Sequence, residues 1–344
     1  MSPAVTTETS YPEPLELAGV LDKFPFEDIT PATGREYPTV NVVDDLINAP
    51  NSDELIRDLG ITIAQRGVVF FRAQHNLTDD VQKHLIQRLG ELTEKPTESS
   101  LHIHPILNDK SEFGVGDRHI STIDSMHRKK LYSNDPVANK RSQQWHSDIQ
   151  FEQVPPDFSS LRLTKLPSNG GDTLWVSGYG LYDSFSKPYQ KFLEGLTATF
   201  QALGVLFNDD TIFQGPRGHP KNVGKDFTAV HPVIRTNPVT GWKSLYGAAA
   251  FPKRINELTD KESREVIRIN SEAITENHDQ HARFKWRNEN DIAIWDNRCT
   301  FHTATHDYDG LGERAGHRAV GIAEVPYLDP NSQSRSDALR KFHQ

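Results

Sequence analysis

Apolar residues recur at helical spacing in two stretches near the start of the chain. Ser52 to Gln65 opens with a capping serine before Glu54 and Leu55, and in Thr78 to Leu92 a capping threonine precedes Val81, Leu85 and Leu89. Both are predicted helices. Between them the apolar run Gly67-Val68-Val69-Phe70-Phe71 reads as a short strand. From about residue 143 strand-like runs dominate: Ser159 to Leu166, Asp172 to Val176, Ala229 to Arg235, Trp242 to Tyr246, Ala282 to Trp286, Asp291 to Trp295, Thr300 to His306 and His317 to Val325. Pro, Gly and Asn separate them, and two helical patterns, Gly180 to Leu196 and Asp260 to Ile274, interrupt the series. Many short strands with a few helices predict a mainly β fold with helical insertions, a double-stranded β-helix or jelly roll.

Residues 1–40 are rich in Pro, Thr and Glu and lack periodicity, which predicts an extended N-terminal arm; residues 331–344 look similar and read as a C-terminal tail. With no repeat or compositional break between them, residues 41–330 are expected to be a single domain. The 344 residues, 35% hydrophobic and 25% charged, suit a soluble globular protein with a sizeable core. One cysteine, Cys299, allows no intramolecular disulfide, so a reducing, cytoplasmic setting fits, and the residue is expected as a buried small apolar group. No basic segment precedes an apolar run at the start, and no apolar stretch is long enough to span a bilayer, so neither secretion nor a membrane is expected. A net charge of -9 offers no footprint for nucleic acid, and the local run His127-Arg128-Lys129-Lys130 reads as a solvated loop. Oligomeric state is not legible, although the arm is available for a homo-oligomer contact.

The candidate chemistry lies in Gln144-Trp145-His146-Ser147-Asp148, the only His-x-Asp in the chain. On a strand, residues i and i+2 share a face, so His146 and Asp148 would converge on one ion. Trp295 to His302 ends a later predicted strand and supplies a third donor, His302. Two histidines and a carboxylate on one face of a metal leave the opposite positions open, the arrangement of non-haem Fe(II) oxygenases. Spacing alone equally allows a core histidine bonded to a neighbouring acid.

The chain resembles the taurine dioxygenase family, which includes herbicide-cleaving and fungal sulfonate oxygenases. The matching stretches are Trp145 to Asp148, Leu166 to Trp175, His231 to Gly241 and Asp291 to His302, followed by Asp307-Tyr308, Arg314 and Arg318. They keep the family's order over about residues 60–326. The resemblance implies Fe(II) held by His146, Asp148 and His302, and 2-oxoglutarate held by Thr173 and Arg314. A guanidinium fork matches a carboxylate with two charge-assisted hydrogen bonds, and the hydroxyl adds a donor. The segment between His302 and Arg314 is about a residue longer than in the bacterial enzyme, which places the extra residue in a glycine-containing loop.

For the substrate, the resemblance implies His104 and Arg318 as binding residues for a small anion, with Ser142 and Phe251 at its edges. No catalytic residue beyond the metal ligands is implied. Ser142 replaces an asparagine of the bacterial enzyme, and Pro105 to Gln144 is longer by roughly a dozen residues, so taurine itself does not follow. The expected reaction is O2-dependent hydroxylation of a small anion, with succinate and CO2 as coproducts. A sulfonate is the first reading and an amino acid or other small carboxylate the second; a non-catalytic metal-binding jelly roll is the alternative of another class.

Overall fold

A computed structural model of the chain describes residues 11–131, 144–202 and 212–340. The lead-in is tied down at its backbone: the Leu15 amide donates to the Val239 carbonyl at 2.9 Å, and the Ala18 and Val20 amides donate to the Asp58 carboxylate. Strands β1 (Glu27–Asp28) and β2 (Arg35–Tyr37) then pair antiparallel. Helix α1 (Ser52–Arg66) stops at Gly67, whose φ of 78° suits glycine and where a Cβ would meet the Thr300 methyl at 2.7 Å. After β3 (Val68–Phe71), Thr78 caps α2 (Asp79–Leu92) by accepting the Val81 amide at 3.3 Å.

Next come β4 (Ser121–Asp124) and α3 (Ser125–Leu131), so the basic run from His127 to Lys130 is helical where a loop was expected, with Lys129 and Lys130 exposed to solvent as expected. The Asp124 carboxylate starts that helix by accepting the Met126 and His127 amides at 2.7 and 3.2 Å. The remaining elements are β5 (Pro156–Lys165), β6 (Thr173–Ser177), α4 (Gly178–Ser184), α5 (Lys187–Glu194), β7 (Thr197–Gln201) and β8 (Thr228–Pro232). They are followed by β9 (Ile234–Thr236), β10 (Lys243–Leu245), β11 (Pro252–Ile255), α6 (Asp260–Glu276), β12 (His281–Phe284), β13 (Ile292–Asp296), β14 (Thr300–Ala304), β15 (Ala315–Ile322) and α7 (Arg335–Arg340).

Two predicted elements are broken in the structure, each beside a proline. The helix expected over Gly180 to Leu196 divides into α4 and α5 at Phe185 and Ser186, both extended, with Pro188 in the first turn of α5. A proline has no N–H to give the preceding turn and its ring clashes there, so it starts a helix more readily than it continues one. The strand expected over Ala229 to Arg235 divides into β8 and β9 after Pro232, which has no donor for a ladder.

The main sheet runs β1-β2-β3-β13-β5-β15-β4, antiparallel except for the parallel pair β2 and β3. A three-stranded sheet, β12-β6-β14, faces it. The space between is filled by Val68, Phe70, Leu163 and Trp295 from the large sheet and Trp175 and Phe284 from the small one. Alternate residues of the same large-sheet strands, Val69, Phe71, Ile292 and Ile294, point the other way and pack beneath Leu55, Leu59, Leu85 and Leu89 of α1 and α2. Burial on both faces explains why these strands read as continuous apolar runs. Behind the small sheet, α4 to α6 and the sheet β11-β7-β8 cover Val176 and Phe301. The site opens beside β14 of the small sheet, where His302 forms an isolated antiparallel bridge with His146.

Candidate active site

His146 and His302 exchange backbone hydrogen bonds of 3.1 and 2.8 Å, which sets their rings side by side with centroids 4.3 Å apart. The His146 Nδ1 lies 2.7 Å from the Gln144 carbonyl, so Nδ1 carries the proton and Nε2 is left as a ligand. Asp148 is not on a regular strand; it occupies the turn after that bridge. It converges on the histidines because its amide donates to Asn297 Oδ1 at 3.2 Å and its Oδ2 accepts from the Ser159 hydroxyl at 2.8 Å. Its Oδ1 then lies 3.7 Å from His146 Nε2 and 3.8 Å from His302 Nε2. The three candidate ligand atoms all fall within 4.8 Å of one another.

The charge states suit a divalent ion. Burial pulls His302 down to about 3, helped by neighbouring His146, and burial likewise lowers His146, so both imidazoles are neutral. Burial alone would raise Asp148, but the Arg318 guanidinium beside it, with the Ser159 hydroxyl donating to it, holds it well below the usual carboxylate range. Neutral imidazole with ionised carboxylate is the form in which these groups bind a metal.

Arg314 lies buried at the other end of the cavity. Its Nε donates to the Gly171 carbonyl at 2.8 Å and its Nη2 to Thr173 Oγ1 at 3.1 Å. Thr173 Oγ1 also accepts from Trp286 Nε1 at 3.1 Å, so its own proton remains to be donated. The acids beside Arg314 in sequence are engaged elsewhere, Glu313 with Lys165 and Asp309 with Lys129. Among the described residues no carboxylate pairs with Arg314, and burial pulls it down to about 10. A buried guanidinium beside an available hydroxyl fits an incoming carboxylate. The longer segment before Arg314 turns through Gly310 and Gly312, at φ 79° and 119°, and the arginine still enters the cavity.

The cavity joining these groups has a volume of about 340 Å³. His104 lines it, with Nδ1 accepting the Ile106 and Leu107 amides at 3.2 and 3.0 Å, so the ring proton sits on Nε2. Arg318 lines it too, donating from Nη1 to Asp148 Oδ1 at 2.6 Å, while its Nε has no acceptor among the described residues. Phe251 stands edge-on to His146, 6.1 Å between centroids. Ser142 lies outside the described residues. Sequence reasoning missed Arg128, Gln144 and His306 on the cavity wall, and Ser159 and Asn297 behind Asp148. Arg128 was concealed in the basic run, and its Nη2 meets Gln144 Oε1 at 2.8 Å.

Residues 25–320 match the family model described as taurine catabolism dioxygenase TauD, TfdA family. The chain belongs to this taurine dioxygenase family. The alpha-ketoglutarate-dependent dioxygenase oryG of Aspergillus oryzae is 46% identical over 342 residues, covering 97% of this chain and 98% of its own. An alpha-ketoglutarate-dependent sulfonate dioxygenase of Saccharomyces cerevisiae is 28% identical, covering 88% of this chain and 67% of its own. A crystal structure of a taurine dioxygenase from Burkholderia xenovorans superposes with a TM-score of 0.67 at 25% identity, covering 90% of this chain and 93% of that one. The chain is thus an Fe(II)- and 2-oxoglutarate-dependent dioxygenase, and the non-catalytic alternative is set aside. No helix among the described residues is long and apolar enough to cross a membrane.

Proposed function

We propose that the chain hydroxylates a small anionic substrate, with His146, Asp148 and His302 holding iron and Thr173 and Arg314 holding the distal carboxylate of 2-oxoglutarate. The observation that carries the reading is the buried Arg314, without a carboxylate partner among the described residues, in the same cavity as the three-ligand cluster. Bound iron and 2-oxoglutarate supply the oxidation: O2 converts a substrate C–H to C–OH while 2-oxoglutarate becomes succinate and CO2. The protein's own residues bind and orient. His104 and Arg318 present N–H donors to the substrate anion, and Phe251 borders it. The facing sheets support reading the fold as a double-stranded β-helix, and the family match supports one oxygenase domain over residues 41–330.

A sulfonate is the first substrate reading, supported by the sulfonate dioxygenase relative. Hydroxylation at the carbon bearing the sulfonate would release sulfite and leave an aldehyde. A small carboxylate is the second, because a guanidinium such as Arg318 serves either head group. Anaerobic addition of Fe(II) and 2-oxoglutarate is expected to give a weak visible charge-transfer band; its absence, with no oxygen uptake, overturns the proposal. Succinate release coupled to a panel of sulfonates and carboxylates then identifies the head group.

A further inference from the structure

We propose that Arg128 is a positioning residue for the iron ligand His146: from helix α3 it fixes Gln144, and the Gln144 carbonyl fixes the imidazole. The inference rests on the function proposed above and adds a residue to its metal site.

His146 Nδ1 lies 2.7 Å from the Gln144 carbonyl oxygen. The direction of that carbonyl therefore decides which ring nitrogen carries the proton and where Nε2 points. A hydrogen bond between residues two apart in sequence is only as steady as the backbone bearing the acceptor. Here that backbone is held through its own side chain, because Gln144 Oε1 accepts from Arg128 Nη2 at 2.8 Å. The donor is a permanent cation, which strengthens the bond, and its planar fork fixes the bond's direction.

Helix α3 gives the arginine a fixed base. The Ser125 amide donates to the Arg314 carbonyl at 2.9 Å, and the Ser125 hydroxyl accepts the Arg314 amide at 3.1 Å. The preceding strand β4 pairs with β15 from Ala315 to Arg318. Arg128 follows Ser125 by three residues, about one helical turn, so it leaves the helix on the face that carries the anchor. Ser125, Arg128, Gln144 and His146 all line the one cavity. A single short helix thus holds the backbone of the cosubstrate arginine at its start and reaches the iron ligand, through Gln144, one turn later.

Because Arg128 lines the cavity, direct contact with a bound anion is the competing role. The two roles make different demands. A positioning arginine matters before any anion is present, and only through the Gln144 side chain. An anion-binding arginine matters once the anion arrives, and is indifferent to that side chain.

Arg128→Met keeps the stem and removes the guanidinium, while Gln144→Met removes the side-chain acceptor and keeps the carbonyl that faces His146. Fe(II) alone is titrated anaerobically into the metal-free parent, both variants and the double variant, and the maximum of the charge-transfer band is then recorded with 2-oxoglutarate added. Each single variant is expected to bind Fe(II) about tenfold more weakly and to move the band maximum in the same direction. The double variant is expected to go no further than either single one, since all three lack the same bond. Unchanged Fe(II) affinity in both single variants, with a raised 2-oxoglutarate requirement in Arg128→Met alone, overturns the inference in favour of anion binding. Losses that add in the double variant overturn it as well. Should Arg128→Met fail to fold, Gln144→Met removes the same bond from the other side, and native Fe(II) affinity there overturns the inference by itself. A parent chain that binds no Fe(II) overturns the proposed function and the inference together.

Discussion

One amide, that of Asn297, makes four hydrogen bonds around the Asp148 carboxylate. Its oxygen accepts the Asp148 amide at 3.2 Å and Trp295 Nε1 at 3.0 Å, and its nitrogen donates to the Asp157 carbonyl at 3.0 Å and Ser159 Oγ at 2.8 Å. The Ser159 hydroxyl then donates to Asp148 Oδ2, so removing Asn297 loosens both the backbone and the carboxylate of Asp148. Asn297→Ala is expected to weaken Fe(II) binding by about 10–100-fold, as measured by anaerobic metal titration, with circular dichroism unchanged. An unaltered affinity would show that Asp148 is held by other means. Thr173→Val keeps the shape of the pocket but deletes the acceptor shared by Arg314 and Trp286 and the donor facing the cavity. A loss of about tenfold in 2-oxoglutarate affinity is expected, with Fe(II) affinity retained, and equal losses in both would refute the division of roles. Cys299 is buried and burial holds its thiol well above its ordinary value, which fits the inert residue expected.

At the scale of elements, β15 carries much of the site, since Arg314 immediately precedes it and Arg318 lies within it. The strand pairs with β5 through a register shift between Ala315 and Gly316. A Cβ on Gly316 would stand 2.6 Å from the Arg162 carbonyl and 2.6 Å from Leu163 Cδ2, closer than backbone can tolerate. Gly316→Ala is therefore expected to cost about 1–3 kcal/mol of stability in urea titration. Because the strand must shift between the two arginines, the 2-oxoglutarate requirement should rise as well; a variant with native stability would mean the sheet yields there at no cost. Strand and helix existence was largely legible from periodicity, as with α1, α2, β3 and β13. The strands β4, β7 and β11 were not: β4 and β11 carry little alternation, and in β7 the alternation spans only five residues. The division of α4 from α5 was marked by Pro188, which the helical pattern overrode.

Across the whole molecule, stability should fall in acid for a reason spread over several sites. Burial opposes ionisation of Asp79 and Glu152, yet His317 and Arg162 beside the first, and His102 and Arg217 beside the second, hold both below their ordinary values of 3.8 and 4.5. Groups with a folded pKa below the unfolded one stabilise the native state above that range and lose the contribution as pH falls through it. Urea midpoints are therefore expected to drop steeply below about pH 4.5, and a flat profile there would contradict the pairing. Asp157 has the opposite sign: burial pushes it up to about 6, so its charge burdens the native state above that pH and is relieved below it. The stability of Asp157→Asn relative to the parent chain is expected to increase between pH 4 and pH 7; a pH-independent difference would rule this out. The chain's sequence by itself determined the candidate donor types, the β-rich architecture and the family, because donor chemistry, strand periodicity and ordered motifs are local properties. Tertiary structure alone decided which Asp148 oxygen faces the histidines, that Arg314 lacks an acid partner among the described residues, and that Arg128 faces a cavity instead of solvent. Those depend on contacts such as Asn297 with Asp148 and Arg318 with Asp148, which join residues far apart in the chain and leave no periodic trace along it.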